Sequence, residues 1–394
     1  MSAEFDERLI YPALPAERAP RAAYVHVPFC IHRCGYCDFT LVAGRDELIP
    51  AYLKSLETEL QAAGGPYEVD TLFIGGGTPS QLSADQLAEL LSLIRHHLPL
   101  AAGGECSLEA NPDGLSQQKL QVIADGGVNR LSLGVQSFDS ATLATLERQH
   151  TPDEAVAVIE RAAAVIDNIS LDLIFGVPGQ QFATWNATLQ TAIQLTRQFP
   201  LRHISTYGLT FEKGTEFFRR QQTGDLLPVP EERERQMYAT AMRLLPAADL
   251  AQYEISSFAA DGRQCRHNHV YWNAQEYFAF GPGAARYVDG VRSTNARSVT
   301  RWLKAWSQGQ PALQDSEQLT QEHRWREAVF LGLRRTAGVD LADFEARFGT
   351  QPAEFARQAF SANIEHGLLE VVDGHMRLTE AGRFVADSVV QDFL

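Results

Sequence analysis

Six short runs of apolar or β-branched residues alternate with helical periodicity through the first half of this 394-residue chain. The runs are Tyr24–Val27, Thr71–Ile74, Ser107–Glu109, Arg130–Val135, Ile169–Phe175 and His203–Leu209. Between them, Ile49–Ala62, Ser83–His97, Ser116–Ala124, Asp139–Glu147 and Pro152–Ala164 have the spacing of amphipathic helices, with Ser83 as N-cap and Gln86 at the capping-box position. Such alternation predicts an α/β fold with a parallel sheet and right-handed crossovers. Six units suit an incomplete (β/α)6 barrel better than a flat sheet.

Polar or glycine-rich residues follow each run. The first leads into a cysteine-bearing loop, the second into Gly75-Gly76-Gly77-Thr78-Pro79, the third into Glu109-Ala110-Asn111-Pro112. The fourth ends in Gly134-Val135-Gln136-Ser137. The fifth carries Asp172 and ends in Gly176-Val177-Pro178-Gly179, and the sixth carries Tyr207. Barrel active sites assemble at the C-terminal ends of strands, so these residues are expected around one mouth. The triple glycine is expected to let backbone approach a ligand and offer it free N–H groups. Glu109, Gln136 and Asp172, at apolar strand ends, suit a cation, a ribose hydroxyl or an Arg; the structural alternative is pairing with Arg130 or Arg148.

Of five cysteines, Cys30, Cys34 and Cys37 stand at Cys-x3-Cys-x2-Cys; Cys106 and Cys265 are remote. Three thiolates without a fourth leave a metal position open. The odd, low count argues against a disulfide framework. A structural zinc site needs a fourth ligand, and His32 is too close in sequence to complete a tetrahedron comfortably. Inert core cysteines do not suit a loop containing His32, Arg33, Gly35 and Asp38. An open-site iron–sulfur cluster is the expectation.

The net charge of −15 argues against a general nucleic-acid binder, and no apolar run approaches the ~20 residues that span a bilayer. Met1–Ala22 lacks the apolar region of a signal peptide and is expected to be a loosely ordered extension in a cytoplasmic, reducing setting. A composition shift near Gln308–Asp315 suggests a barrel domain over 23–310 and a second domain over 311–394. In the latter, helices Glu322–Leu333, Leu341–Phe348 and Ala353–His366 precede strands Leu369–Val372 and Met376–Leu378 and a closing helix Glu380–Phe393. That order is winged-helix-like. Residues 321–394 hold eight Arg, no Lys and twelve acidic residues, which favours a structural or partner-docking module over DNA binding.

Tyr24-x-His26-x-Pro28-Phe29-Cys30-x3-Cys34-x-Tyr36-Cys37-Asp38-Phe39 resembles the radical S-adenosylmethionine signature of the coproporphyrinogen-dehydrogenase-like group. GGGTPS, LEANP, RLSLGVQSF, LERQH, SLDLIFGVPGQ, HISTYGLTFEKGT, AQYEISSFA and CRHNHVYW extend the likeness over nearly everything after residue 22. The resemblance implies a [4Fe–4S] cluster on Cys30, Cys34 and Cys37, with S-adenosylmethionine on the open iron. It implies cofactor contacts from Tyr24, Tyr36, Gly76, Gly77, Thr78, Glu109, Gln136, Arg148 and Asp172, and a HemN-type C-terminal domain.

Two subfamilies share these motifs. The oxygen-independent coproporphyrinogen III oxidase typically places a further cysteine two positions after the third, where this chain has Phe39. The heme chaperone (HemW) group carries His-Asn-x-x-Tyr-Trp, present here as His267-Asn268-His269-Val270-Tyr271-Trp272. His267, His269 and Cys265 are candidate axial heme ligands, His267 first because it lies in the motif. Tyr271, Trp272, Tyr277, Phe278 and Phe280 offer flat apolar surface. The bland alternative is a satisfied histidine beside an aromatic core. The expected function is heme chaperoning toward an acceptor hemoprotein such as a respiratory one, without oxidase activity, with dimerisation implied by the family. The oxidase, or a radical enzyme for another tetrapyrrole, is the alternative.

Overall fold

The computed structural model describes residues 14–394; the part of the expected N-terminal extension before residue 14 lies outside them. Six parallel strands form the centre: β1 (Ala22–Val27), β2 (Val69–Gly76), β3 (Leu100–Ala110), β4 (Arg130–Gln136), β5 (Ile169–Phe175) and β6 (Leu201–Gly208). They stand in sequence order within a nine-stranded sheet. Phe278–Phe280 extends it in parallel beside β1, and Ser257–Ala259 pairs antiparallel with β6, followed by Ala251–Gln252. The two outermost strands do not pair with each other, so the barrel is incomplete.

Each crossover carries a helix, from Ile49–Ala62 after β1 to Phe182–Gln198 after β5. Local chemistry sets their starts: Ser83 and Gln86 form a reciprocal capping box, as do Thr151 and Glu154, and Ser116 and Asp139 cap two more.

Side chains alternate across the sheet with period two. Leu72, Ile74, Leu108, Leu131, Leu133, Leu171 and Leu173 join the buried apolar core with the crossover helices. At about 1.5–3 kcal/mol for each fully buried side chain, this layer dominates the fold's stabilisation. The intervening positions are polar and line cavities instead: Tyr24, Glu109, Arg130, Ser132, Asp172, His203, Ser205 and Tyr207. Parallel strands covered on both faces are normally apolar throughout. Here the inner face is a polar lumen.

After the barrel, Ala285–Val288, Val291–Asn295 and Leu313–Gln318 form a three-stranded sheet. Residues 313–318 thus pair with the chain preceding residue 310, and the expected boundary falls ahead of that strand. A second core gathers Val329, Leu333, Phe344, Met376, Val389 and Val390. Within it, Leu369–Val372 and His375–Leu378 pair around Asp373-Gly374, both at positive φ. The expected helix 353–366 is instead two, Pro352–Phe355 and Arg357–Glu365, and 380–393 is also two, Glu380–Phe384 and Ala386–Gln391.

Candidate functional site

The cysteine loop leaves β1 and is held by backbone acceptors. Arg33 donates to the carbonyls of Cys37, Phe39 and Leu41, and Arg297 donates to that of Asp38 at 2.6 Å. Phe29–Cys30 pairs with Val42–Ala43, closing the loop at its base. Gly35 is where the loop touches its neighbours most closely. Its N–H donates to Glu147 Oε2 at 2.9 Å, and a Cβ there would stand 2.6 Å from the Phe217 ring. His32 Nε2 meets the same Glu147 oxygen at 3.0 Å.

Cys30, Cys34 and Cys37 line one chamber of about 460 Å³ at the C-terminal strand ends. Tyr36, Gly76, Gly77, Thr78, Glu109, Gln136, Arg148 and Asp172 line it too. The expected mouth therefore brings these residues together. Tyr24 lies elsewhere: its hydroxyl meets His26 Nδ1 at 3.0 Å, and its ring lines the lumen below. Among the described residues no three His, Cys, Asp or Glu side chains converge as for a single metal ion. Three thiols along one wall suit a multi-iron cluster, in which each thiolate takes a different iron. Burial pushes the Cys30 thiol up to about 11 and raises Cys34 and Cys37, opposed by the Thr78 hydroxyl at Cys30 and the Arg148 guanidinium at Cys34.

One expectation fails. The GGGTP loop does not offer free N–H groups, because the Gly76 N–H donates to Glu109 (3.0 Å), Gly77 to the Val27 carbonyl (2.8 Å) and Thr78 to the Phe29 carbonyl (2.7 Å). The glycines serve close packing: a Cβ on Gly76 would stand 2.4 Å from the His26 ring, and one on Gly77 would stand 2.8 Å from the Phe29 carbonyl oxygen. Thr78 keeps its hydroxyl toward the thiols, 3.2 Å from Cys30 Sγ.

Arg148 donates to Asn111 Oδ1 (2.6 Å) and the Gly134 carbonyl (2.9 Å), which aims the guanidinium along the chamber wall. Gln136 sits at φ 65°, with its buried Oε1 lacking a protein partner. Glu109 is pushed up to about 7, first by burial and then by Asp172; Asp172 is raised by burial and accepts from Ser132 at 3.1 Å. The chamber therefore holds one fixed cation, Arg148, and among its carboxyls Asp172 disfavours ionisation of Glu109.

Below it lies the lumen, about 230 Å³, sharing Glu109, Ser132, Asp172 and Tyr207 with the chamber. Arg130 and His203 line it; neither was expected as a site residue, although polar residues at alternate positions of a parallel strand are the signal. The helix Arg266–Trp272, which carries the His-Asn motif, contributes His267, Asn268 and Tyr271 to the same lumen. His267 is 0 % exposed, with Nδ1 2.9 Å from Thr71 Oγ1 and Nε2 2.8 Å from the Tyr271 hydroxyl. In this conformation neither ring nitrogen is presented to a ligand. Cys265, Phe278 and Phe280 are fully or nearly fully buried in the protein, so they offer no surface to a porphyrin as the chain stands. His269 is half-buried and bonds Gln264 at 2.7 Å; Trp272 carries Arg334 over its ring.

A family model for the radical SAM superfamily matches residues 24–192, and one for the HemN C-terminal domain matches 319–385. The heme chaperone HemW of Bacillus subtilis is 37% identical over 379 residues, covering 95% of this chain and 99% of that protein. The chain belongs to the HemW family. Its HemW relative from Mycobacterium tuberculosis is 34% identical, with 96% of each chain covered. A mitochondrial radical S-adenosyl methionine domain-containing protein 1 from Bos taurus is 32% identical over 97% of this chain and 89% of its own. In structure, coproporphyrinogen III oxidase (HemN) of Escherichia coli shares the fold at TM-score 0.82 and 21% identity, covering 96% of this chain and 91% of that one. The radical-SAM barrel and HemN-like C-terminal module are thus common to both subfamilies, and HemW membership separates them. Among the described residues no helix is long and apolar enough to cross a membrane.

Proposed function

We propose that this protein binds heme and passes it to an acceptor hemoprotein. A [4Fe–4S] cluster would be held by Cys30, Cys34 and Cys37, with S-adenosylmethionine in the chamber beside it. Near full-length likeness to proteins named as heme chaperones carries the reading. The donor set supports the cofactors: three thiols and no fourth cysteine line the chamber, where Gln136 Oε1 and Arg148 Nε are buried without protein partners. When bound, a cluster with one open iron supplies a binding place for the amino and carboxylate groups of S-adenosylmethionine.

The chain's own residues would do the rest. Arg148 would hold the ligand's carboxylate, Asp172 and Glu109 its cationic and hydroxyl groups, and Gln136 a donor from the ligand. Phe39, 58 % exposed on the chamber wall, stands where the oxidase would place its extra cysteine. The expected location is the cytoplasm.

Anaerobically reconstituted protein, given coproporphyrinogen III, S-adenosylmethionine and reductant, is expected to form no protoporphyrinogen over many turnovers while binding added hemin. Sustained turnover would replace this reading with the oxidase.

A further inference from the structure

A third cavity, about 320 Å³, opens beside the end of the motif helix. Its apolar walls are Trp272 at the end of the motif and Tyr277 just after it, Tyr287 on the three-stranded sheet, and Leu331 and Phe348 on the C-terminal module. Three separate parts of the chain therefore build it, and its size falls within the range of small-ligand sites. Flat rings dominate, which suits a planar ligand.

The charges are asymmetric. Arg292 pairs with Glu317 and Glu327, so Glu327 is already neutralised. Arg324 also lines the cavity, is exposed, and makes no ion pair among the described residues. One uncommitted guanidinium at an aromatic cleft selects a planar molecule with a carboxylate on its edge. Heme has that chemistry.

Tyr271 belongs to both this cavity and the lumen. Its hydroxyl meets His267 Nε2 in the lumen, while its ring stacks edge-on against Tyr277, at 4.6 Å, in the cleft. In the tautomer that carries its proton on Nδ1 and donates it to the Thr71 hydroxyl, Nε2 holds the lone pair that accepts from the Tyr271 hydroxyl. That lone pair is the one a metal would take. Displacing a single side chain would free it.

We propose that heme docks in the cleft between the motif helix and the C-terminal module, with a carboxylate on Arg324, and that Tyr271 is the latch that covers His267 until heme displaces it. One hydrogen bond, Tyr271 to Nε2, breaks and one Nε2–iron bond forms; no electron moves. The C-terminal module thereby forms a wall of the cargo site. This inference rests on the heme-binding reading above.

The test is hemin titration of the full chain, followed by visible absorption. Arg324→Glu, a change at an exposed residue, is expected to weaken hemin binding at least several-fold. Tyr287→Ala with Phe348→Ala should weaken it further, with far-UV circular dichroism confirming the fold. His267→Ala should lose the histidine-ligated spectrum, and Tyr271→Phe should reach that spectrum faster than wild type. If wild type binds no hemin, the heme reading fails and this one with it. If wild type binds hemin and Arg324→Glu binds equally well, or if Phe39→Asp abolishes binding instead, the cleft alone is overturned. A slower Tyr271→Phe would remove the latch.

Discussion

Glu105 caps the helix that presents His267, from 162 residues away in sequence. Its carboxylate accepts the N–H of Arg266 and that of His267, each at 3.1 Å, and lies 3.7 Å from Cys265 Sγ. These are free donors of a helix N-terminus, answered here by a buried carboxylate on β3. Glu105→Ala would leave them buried and unsatisfied, costing about 2 kcal/mol. The expected outcome is a lower denaturation midpoint, with amide exchange rising first at residues 266–268. Glu105→Gln, which keeps one acceptor oxygen, should lose less.

Glu147 plays the matching part for the cysteine loop, accepting from both Gly35 and His32. Gly35→Ala would drive a Cβ to within 2.6 Å of the buried Phe217 ring, an overpacking worth about 1–3 kcal/mol. Lower iron per chain after anaerobic reconstitution is expected for Gly35→Ala and Glu147→Ala, since both loosen the loop that sets the thiols. Glu147→Gln, still an acceptor for Gly35, should retain more iron. Equal iron in all four proteins would show that the loop needs neither contact.

Stability should fall as pH rises from about 4.5 to 7 because of Glu109. Its ordinary value is 4.5 and burial lifts it to about 7, so in that window the folded chain keeps a proton that the unfolded chain has released. The folded state binds more protons there, and linkage makes stability decrease with pH until Glu109 has ionised. The full shift corresponds to about 3 kcal/mol. Glu109→Gln should remove this slope and melt higher than wild type at pH 8 in the absence of ligand. A slope unchanged by Glu109→Gln would assign it to other groups.

The sequence carried the parts of this architecture whose signals are local. The cysteine spacing, the polar strand ends and the Ser83–Gln86 capping box are all short-range patterns, and the strand order follows from them by right-handed crossover. What escaped depends on contacts across the fold. Glu105 looks like an ordinary strand residue until the motif helix packs on it, and Arg130 and His203 become site-lining only once alternate strand positions face a lumen. The GGGTP amides are taken by the Glu109 carboxylate and by the carbonyls of Val27 and Phe29, which a sequence does not place. Helices split for tertiary reasons too: a break at Val385 lets Phe384 pack on Tyr238 of the barrel while Val389 and Val390 stay in the second core.

Gly76 separates backbone strain from steric collision. It sits at φ +112°, and a Cβ there would meet three atoms of the His26 ring within 2.8 Å. That ring is buried and held at both nitrogens, by Tyr24 and by the Thr40 carbonyl at 2.7 Å, so it has nowhere to go. Gly309 also has positive φ, +68°, but a Cβ there would meet nothing within 4 Å. Gly309→Ala should cost only the left-handed penalty, about 1 kcal/mol. Gly76→Ala should cost about 3 kcal/mol or more, since strain and overpacking combine. It should also displace Thr78 from Cys30, and so lose reconstituted iron that Gly309→Ala retains. Chemical denaturation of the two variants, with iron analysis, checks both; equal losses would mean that the glycine is needed for its backbone angle alone.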